Sequence, residues 1–110
     1  SASLEDLLNQ GFLPECIVNF VCLLGWSPDN NDEIFNLEKM IELFDYKRIS
    51  KSPAVLDMTK LRWMNGKYIE AMDEERYLSM ALPEVEKVIK IYSLMAQLCY
   101  IDYVVYQQEE

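Results

Sequence analysis

The sequence predicts an all-α fold, a small bundle of about five to six helices with a basic loop set into it. Three observations predict it. Apolar residues recur mostly at helical spacing, and only three glycines and four prolines interrupt 110 residues. Hydrophobic residues make up 51% of the chain, enough for a core and too many for a disordered segment. No strand–helix–strand alternation occurs.

The elements follow in order. Ser3-Leu-Glu-Asp6 reads as a capping box opening a first helix, which Gly11 ends as a left-handed cap. Pro14 suits the first turn of a second helix ending at Gly25. Its run Cys16-Ile-Val-Asn-Phe-Val-Cys-Leu-Leu24 is apolar nearly all round, so this helix is expected to be central. Trp26 to Asp32 is turn-rich. Counted as a calcium loop from Asp29, it puts Ile34 at the glycine position and Met40 at the bidentate-glutamate position, which argues against calcium.

Asn36 caps a short helix over 37–44, with Met40, Ile41 and Phe44 expected on its buried side. Pro53 forces Ser52 out of the helical region, so 50–56 is loop or extended, and Asp57 caps the next helix. There Leu61, Met64, Tyr68 and Met72 share one face, with Asn65 at its edge, while Lys60, Trp63 and Lys67 fall on another. Gly66 in mid-helix hints at a close backbone approach. Asp73-Glu-Glu75 starts a helix to about Leu82, and Pro83 is expected to open a separate last helix to roughly Val105. From Ile91 onward that helix is apolar on several faces, and it needs a covering partner.

Charge is the sharpest functional signal. Net charge is −9, yet residues 47–67 hold six of the ten cations against one acid, Asp57. An acidic chain with one basic strip is suited to local contact with phosphates rather than to coating nucleic acid. The candidates for backbone contact are Lys47, Arg48, Lys51, Lys60, Arg62 and Lys67, with Trp63 as a stacking candidate. Packing on a neighbouring helix is the favoured reading of Trp63. There is no histidine, and no nucleophile elbow, P-loop or glycine-rich phosphate cradle, so no catalytic residue and no metal ligand is assigned. Cys16, Cys22 and Cys99 form no CxxC pair and read as reduced, buried thiols of a cytoplasmic protein. No run is judged long enough to span a membrane. Ser1-Ala2-Ser3 reads as a cloning remnant.

Arg48-Ile-Ser-Lys-Ser52 imitates the KMSKS signature of class I aminoacyl-tRNA synthetases, but it lacks the α/β nucleotide-binding context and is set aside. A longer likeness is specific. Gly11-Phe-Leu-Pro-Glu15, Asn19-Phe20, Leu23-Leu-Gly-Trp-Ser-Pro28, Glu33-Ile-Phe35, Ile49 to Asp57 and Lys60 to Ile69 closely resemble bacterial glutamyl-tRNA synthetases, in order and spacing, over roughly residues 4–82. The resemblance implies a fragment C-terminal to the catalytic domain. Residues 4–72 would be a stem-contact region leading into 73–110, the start of the anticodon-binding helices. It implies ATP in the parent's missing catalytic domain and no cofactor here. The implied partners are a glutamate-accepting tRNA, the parent's catalytic domain and its remaining anticodon-binding helices, with no membrane. The alternative is a helical protein-interaction module that docks, or self-associates, through the apolar C-terminal helix.

Overall fold

The computed structural model describes residues 3–109. The helices are α1 (Leu4–Asn9), α2 (Pro14–Gly25), α3 (Leu37–Leu43), α4 (Met58–Glu70) and α5 (Glu74–Glu109), with a 3₁₀ turn at Tyr46–Arg48. Among the described residues no strand forms. One isolated antiparallel bridge joins Trp26 to Ile49. The chain divides into two compact units, Ser1–Ala71 and Met72–Glu110. Of the expected Ser1-Ala2-Ser3 remnant, Ser1 and Ala2 lie outside the described residues.

Local chemistry explains the boundaries in the first unit. The Ser3 hydroxyl accepts from the Asp6 amide at 3.1 Å, and the Asp6 carboxylate accepts from the Ser3 amide at 3.2 Å, completing the capping box. The Ser3 hydroxyl first, and then the Ser3 amide, hold the Asp6 carboxyl below the usual carboxylate range by hydrogen bonding to its charged form. Gly11 takes φ +93°, a conformation that side chains strain to adopt. Asn36 accepts from the Lys39 amide at 2.8 Å and Asp57 from the Lys60 amide at 3.1 Å, each satisfying an orphan donor of the first turn.

Helix α2 is the hub, packing on both α3 and α4. Leu13, Cys16, Ile17 and Phe20 are buried along it, as are Leu61 and Met64 of α4. Trp26, Phe35 and Met40 form a cluster extended by Cys22, Leu23 and Leu43. Here two expectations are corrected. Ile41 is 70% and Phe44 56% exposed, so α3 buries only Met40 fully. Its two turns are too short to turn a full apolar stripe inward, although the Phe44 ring still lies 6.1 Å from that of Trp26. Val18 and Val21 of α2 are also exposed, so the helix is not enclosed all round.

Two asparagines fasten these helices. Asn19 is fully buried. Its Nδ2 donates to the Glu33 carbonyl at 3.1 Å, and its Oδ1 accepts from the Phe35 amide at 3.0 Å. The Tyr68 hydroxyl lies 2.7 Å from the same oxygen and 3.0 Å from the Phe35 carbonyl, sharing its proton between them. Asn65 of α4 accepts from the Leu13 amide at 2.9 Å and donates to the Gly11 carbonyl at 3.1 Å.

The second unit is dominated by α5, a single helix of 36 residues with Pro83 inside it. The expected break at Pro83 does not occur. Proline there removes one amide donor, while the Ser79 hydroxyl donates to the Arg76 carbonyl at 2.8 Å one turn earlier and the apolar periodicity runs on unbroken. Asp73 is the cap, accepting from the Arg76 amide at 2.9 Å. No residue of α5 is buried. Cys99 is exposed and Cys22 half-buried, so only Cys16 is the buried thiol expected of all three. One further expectation is corrected. An 18-residue window of α5 with mean hydropathy 1.4 makes it one helix long and apolar enough to cross a membrane, by length and composition. Lys90 and Asp102, which break the run when the sequence is read residue by residue, are tolerated in that average.

Two outcomes are expected. Asn19→Leu should cost about 2–3 kcal/mol, because it strands the buried Phe35 amide, frees the Glu33 carbonyl and leaves the Tyr68 hydroxyl only the Phe35 carbonyl. The reading is a lower urea midpoint at unchanged slope. Stability should also fall at alkaline pH. Burial first, and then Glu15, pushes the Cys16 thiol up from 9.0 to about 11. Burial first, then Cys16 and Glu15, pushes the Tyr68 hydroxyl up from 10.0 to about 12. The unfolded chain releases these protons first, so the folded state binds more protons between the two values of each group. Stability is therefore whole below pH 9.0 and declines as pH rises towards about 12. Cys16→Ala should move the onset of the decline up to near 10.0, the unperturbed tyrosine value, in urea midpoints taken across this range.

Candidate nucleic-acid interface

The basic strip is built on a stapled loop. The Ser50 amide donates to the Gly25 carbonyl at 2.8 Å, beside the Trp26–Ile49 bridge. Arg48 completes the staple: its Nε donates to the Ser27 carbonyl and its Nη2 to the Pro28 carbonyl, both at 2.8 Å. This guanidinium therefore holds the 26–28 turn against the 46–50 segment. Sequence reasoning marked Arg48 as a phosphate contact and missed this use of it. The partners are carbonyls about twenty residues away that no local motif reveals.

Arg48 and Lys60 are brought together in the wall of a cleft of about 600 Å³, shared with Trp26 and the loop 27–33. Lys60 Nζ lies 3.3 Å from the Glu33 carboxylate, both side chains partly exposed. Lys67 pairs within its own helix with Glu70 at 3.4 Å. Exposed pairs of this kind are worth about 0–1 kcal/mol, so a phosphate can displace the carboxylate. Lys47, Lys51 and Arg62 are exposed, and no carboxylate holds their side chains among the described residues.

The six cations do not form one face. At about 100° per residue, Lys60 and Lys67 flank one side of the exposed surface of α4 and Arg62 the other, with Trp63 and Gly66 between them. Trp63 is 49% exposed, which corrects the favoured reading that it packs on a neighbouring helix. The buried face of α4 is already filled by Leu61, Met64 and Asn65. The indole instead borders an open depression of about 550 Å³ with Asn31 to Ile34. Gly66 is corrected too: nothing lies within 4 Å of a Cβ built there, so no close approach within the chain requires it.

The family model for class I tRNA synthetases (E and Q), catalytic domain, matches residues 1–63. The chain belongs to this family. Among curated relatives, the glutamate–tRNA ligase of Lachnoclostridium phytofermentans is 57% identical over 94 residues, 84% of this chain and 19% of that protein. That of Clostridium botulinum strain Eklund 17B is 51% identical over 89 residues, 81% of this chain and 18% of that protein. The solved glutamate–tRNA synthetase of Elizabethkingia anophelis superposes with a TM-score of 0.64 at 35% identity, covering 84% of this chain and 17% of its own. The chain thus spans under a fifth of the length of the synthetases it matches. The synthetase family model also draws its catalytic-domain boundary further along this chain than the sequence reading does.

Gly66→Ala should stabilise the fold by about 1 kcal/mol, since the position is helical and open. Thermal unfolding of the two forms under one buffer checks it, and a lower midpoint for the alanine form would show an unseen constraint at this position.

Proposed function

We propose that this chain is a non-catalytic, tRNA-binding segment of a cytoplasmic glutamate–tRNA ligase. In that enzyme ATP and glutamate form glutamyl-adenylate, and the glutamyl group then passes to the tRNA end. The segment holds the tRNA against a catalytic domain beyond it, contributing orientation and effective concentration at a distant reaction centre. The observation that carries this reading is the set of exposed cations left without a carboxylate, Lys47, Lys51 and Arg62, on a chain that is otherwise strongly acidic. Lys60 and Lys67 join them by exchanging a weak surface carboxylate for a phosphate. Arg48 contributes chiefly by fixing the loop that presents Lys47 and Lys51. ATP belongs to the catalytic domain, and no cofactor is assigned to these residues.

The exposure of α5 favours a second reading, in which that helix docks on a protein surface. It does not compete for the same residues.

A salt titration of binding to unmodified glutamate tRNA, with duplex DNA as control, tests the first reading. Binding should prefer tRNA and weaken steeply with salt. Replacing Lys47, Lys51 and Arg62 together by alanine should flatten the log–log slope by about 2–3, roughly one ion per phosphate released. An unchanged slope removes these residues from the interface.

A further inference from the structure

Of the three glycines, two have a local reason. Gly11 needs its left-handed φ of +93°, and Gly25 closes α2. Gly66 has neither. It stands inside α4, its φ is not positive, and nothing lies within 4 Å of a Cβ built on it. A glycine in a helix interior costs about 1 kcal/mol relative to alanine, so the chain carries a cost that nothing inside it explains.

The neighbours of Gly66 point outward, to a ligand. At about 100° per residue it lies near the middle of the exposed face of α4, opposite Leu61 and Met64. Trp63, one turn earlier, is 49% exposed. Arg62 stands on one flank, exposed and with no carboxylate holding it among the described residues. Lys67 stands on the other and holds the Glu70 carboxylate at 3.4 Å. Glu70 is one turn beyond Gly66 and is the acid that would otherwise repel a phosphate arriving there. Charged and aromatic side chains thus surround a patch of bare helix backbone.

We propose that Gly66 is a seat for the sugar–phosphate backbone of bound RNA, which crosses α4 there closer than any side chain would allow. Resting on the tRNA-binding reading above, it adds to the interface a residue that brings neither charge nor side chain. A nucleic-acid strand is the occupant that fits, because it carries a ribose between phosphates. With the ribose against the glycine, helix and strand meet at van der Waals distance, and the phosphates on either side fall towards Arg62 and Lys67. A Cβ or anything longer at this position holds the strand off and lengthens both charge contacts.

Gly66→Ala and Gly66→Gln in the 110-residue chain, titrated with unmodified glutamate tRNA over a series of salt concentrations, test it. Thermal midpoints of both variants should equal or exceed that of the unchanged chain, since both residues are better helix formers than glycine. Affinity should nevertheless fall, about threefold for alanine and about thirtyfold for glutamine. The log–log salt slope should stay as it was, because no cation has been removed. Unaltered affinity in both variants overturns the proposal, and the tRNA-binding reading survives that result if replacing Lys47, Lys51 and Arg62 still flattens the slope. A flattened slope for Gly66→Gln also overturns it, since glutamine would then be acting by displacing a neighbouring cation. No binding by the unchanged chain at low salt overturns both.

Discussion

The first unit depends on one buried amide. Asn19 sits in the middle of the most apolar helix of the unit, where a bare polar group costs several kcal/mol. Both ends of its side chain are matched, to Glu33 and Phe35 on an extended segment and, through Tyr68, to α4. A helix, the loop segment 33–35 and a second helix are thereby fixed at one point. Apolar packing alone would hold them together but tolerate sliding, since hydrophobic contact has no direction. Asn65 makes the matching attachment nearer the start of α2, so the α2–α4 pair is pinned at two places along its length.

That pinning decides what the basic residues can do. Because the 33–35 segment is held to α2 and α4, Glu33 is delivered to Lys60 and the loop before it forms one wall of the cleft. Arg48 forms the other attachment, using its two donors on backbone carbonyls. A guanidinium engaged in this way has little left for a ligand. The electrostatic work then falls on side chains that the scaffold does not need, on the 3₁₀ turn, the following loop and the outer side of α4. Positive charge here is divided between holding the platform and occupying it.

The parts legible in the sequence are those set by neighbours a few residues apart. Ser3, Asn36, Asp57 and Asp73 cap as read, Gly11 turns left-handed, and Pro14 starts a helix, because each effect acts within one turn. Blocks of sequence spread over residues 4–82 sufficed to place the family. What could not be read depends on distant partners. Asn65 looked like the edge of a face, and its importance lies in bonds to residues more than fifty positions away. Trp63 looked like core because aromatic residues usually are, but Leu61 and Met64 had already taken that side. Pro83 looked like a start because proline is equally at home in a first turn. Only the continuing periodicity beyond it separates that role from a tolerated interruption. Gly66 and Arg48 misled for opposite reasons, one having no neighbour where a close one was expected and the other having two carbonyls where a phosphate was expected.

The second unit obeys a different constraint. A helix gains most of its stability in a protein from burying an apolar face, and isolated helices are marginal in water even with good sequences. Helix α5 has acids in its first turn, which favour its dipole, but no base in its last, and it carries an internal proline. Intrinsic propensity is therefore a poor account of 36 continuous helical residues. The stripes of exposed Leu, Ile, Val and Tyr supply the missing term, provided something covers them. Order in α5 and coverage of α5 are thus one free-energy event. The charges at Glu84, Glu86, Lys87, Lys90 and Asp102 limit which side can be covered without stranding an ion, and so convert a general apolar demand into a directional one.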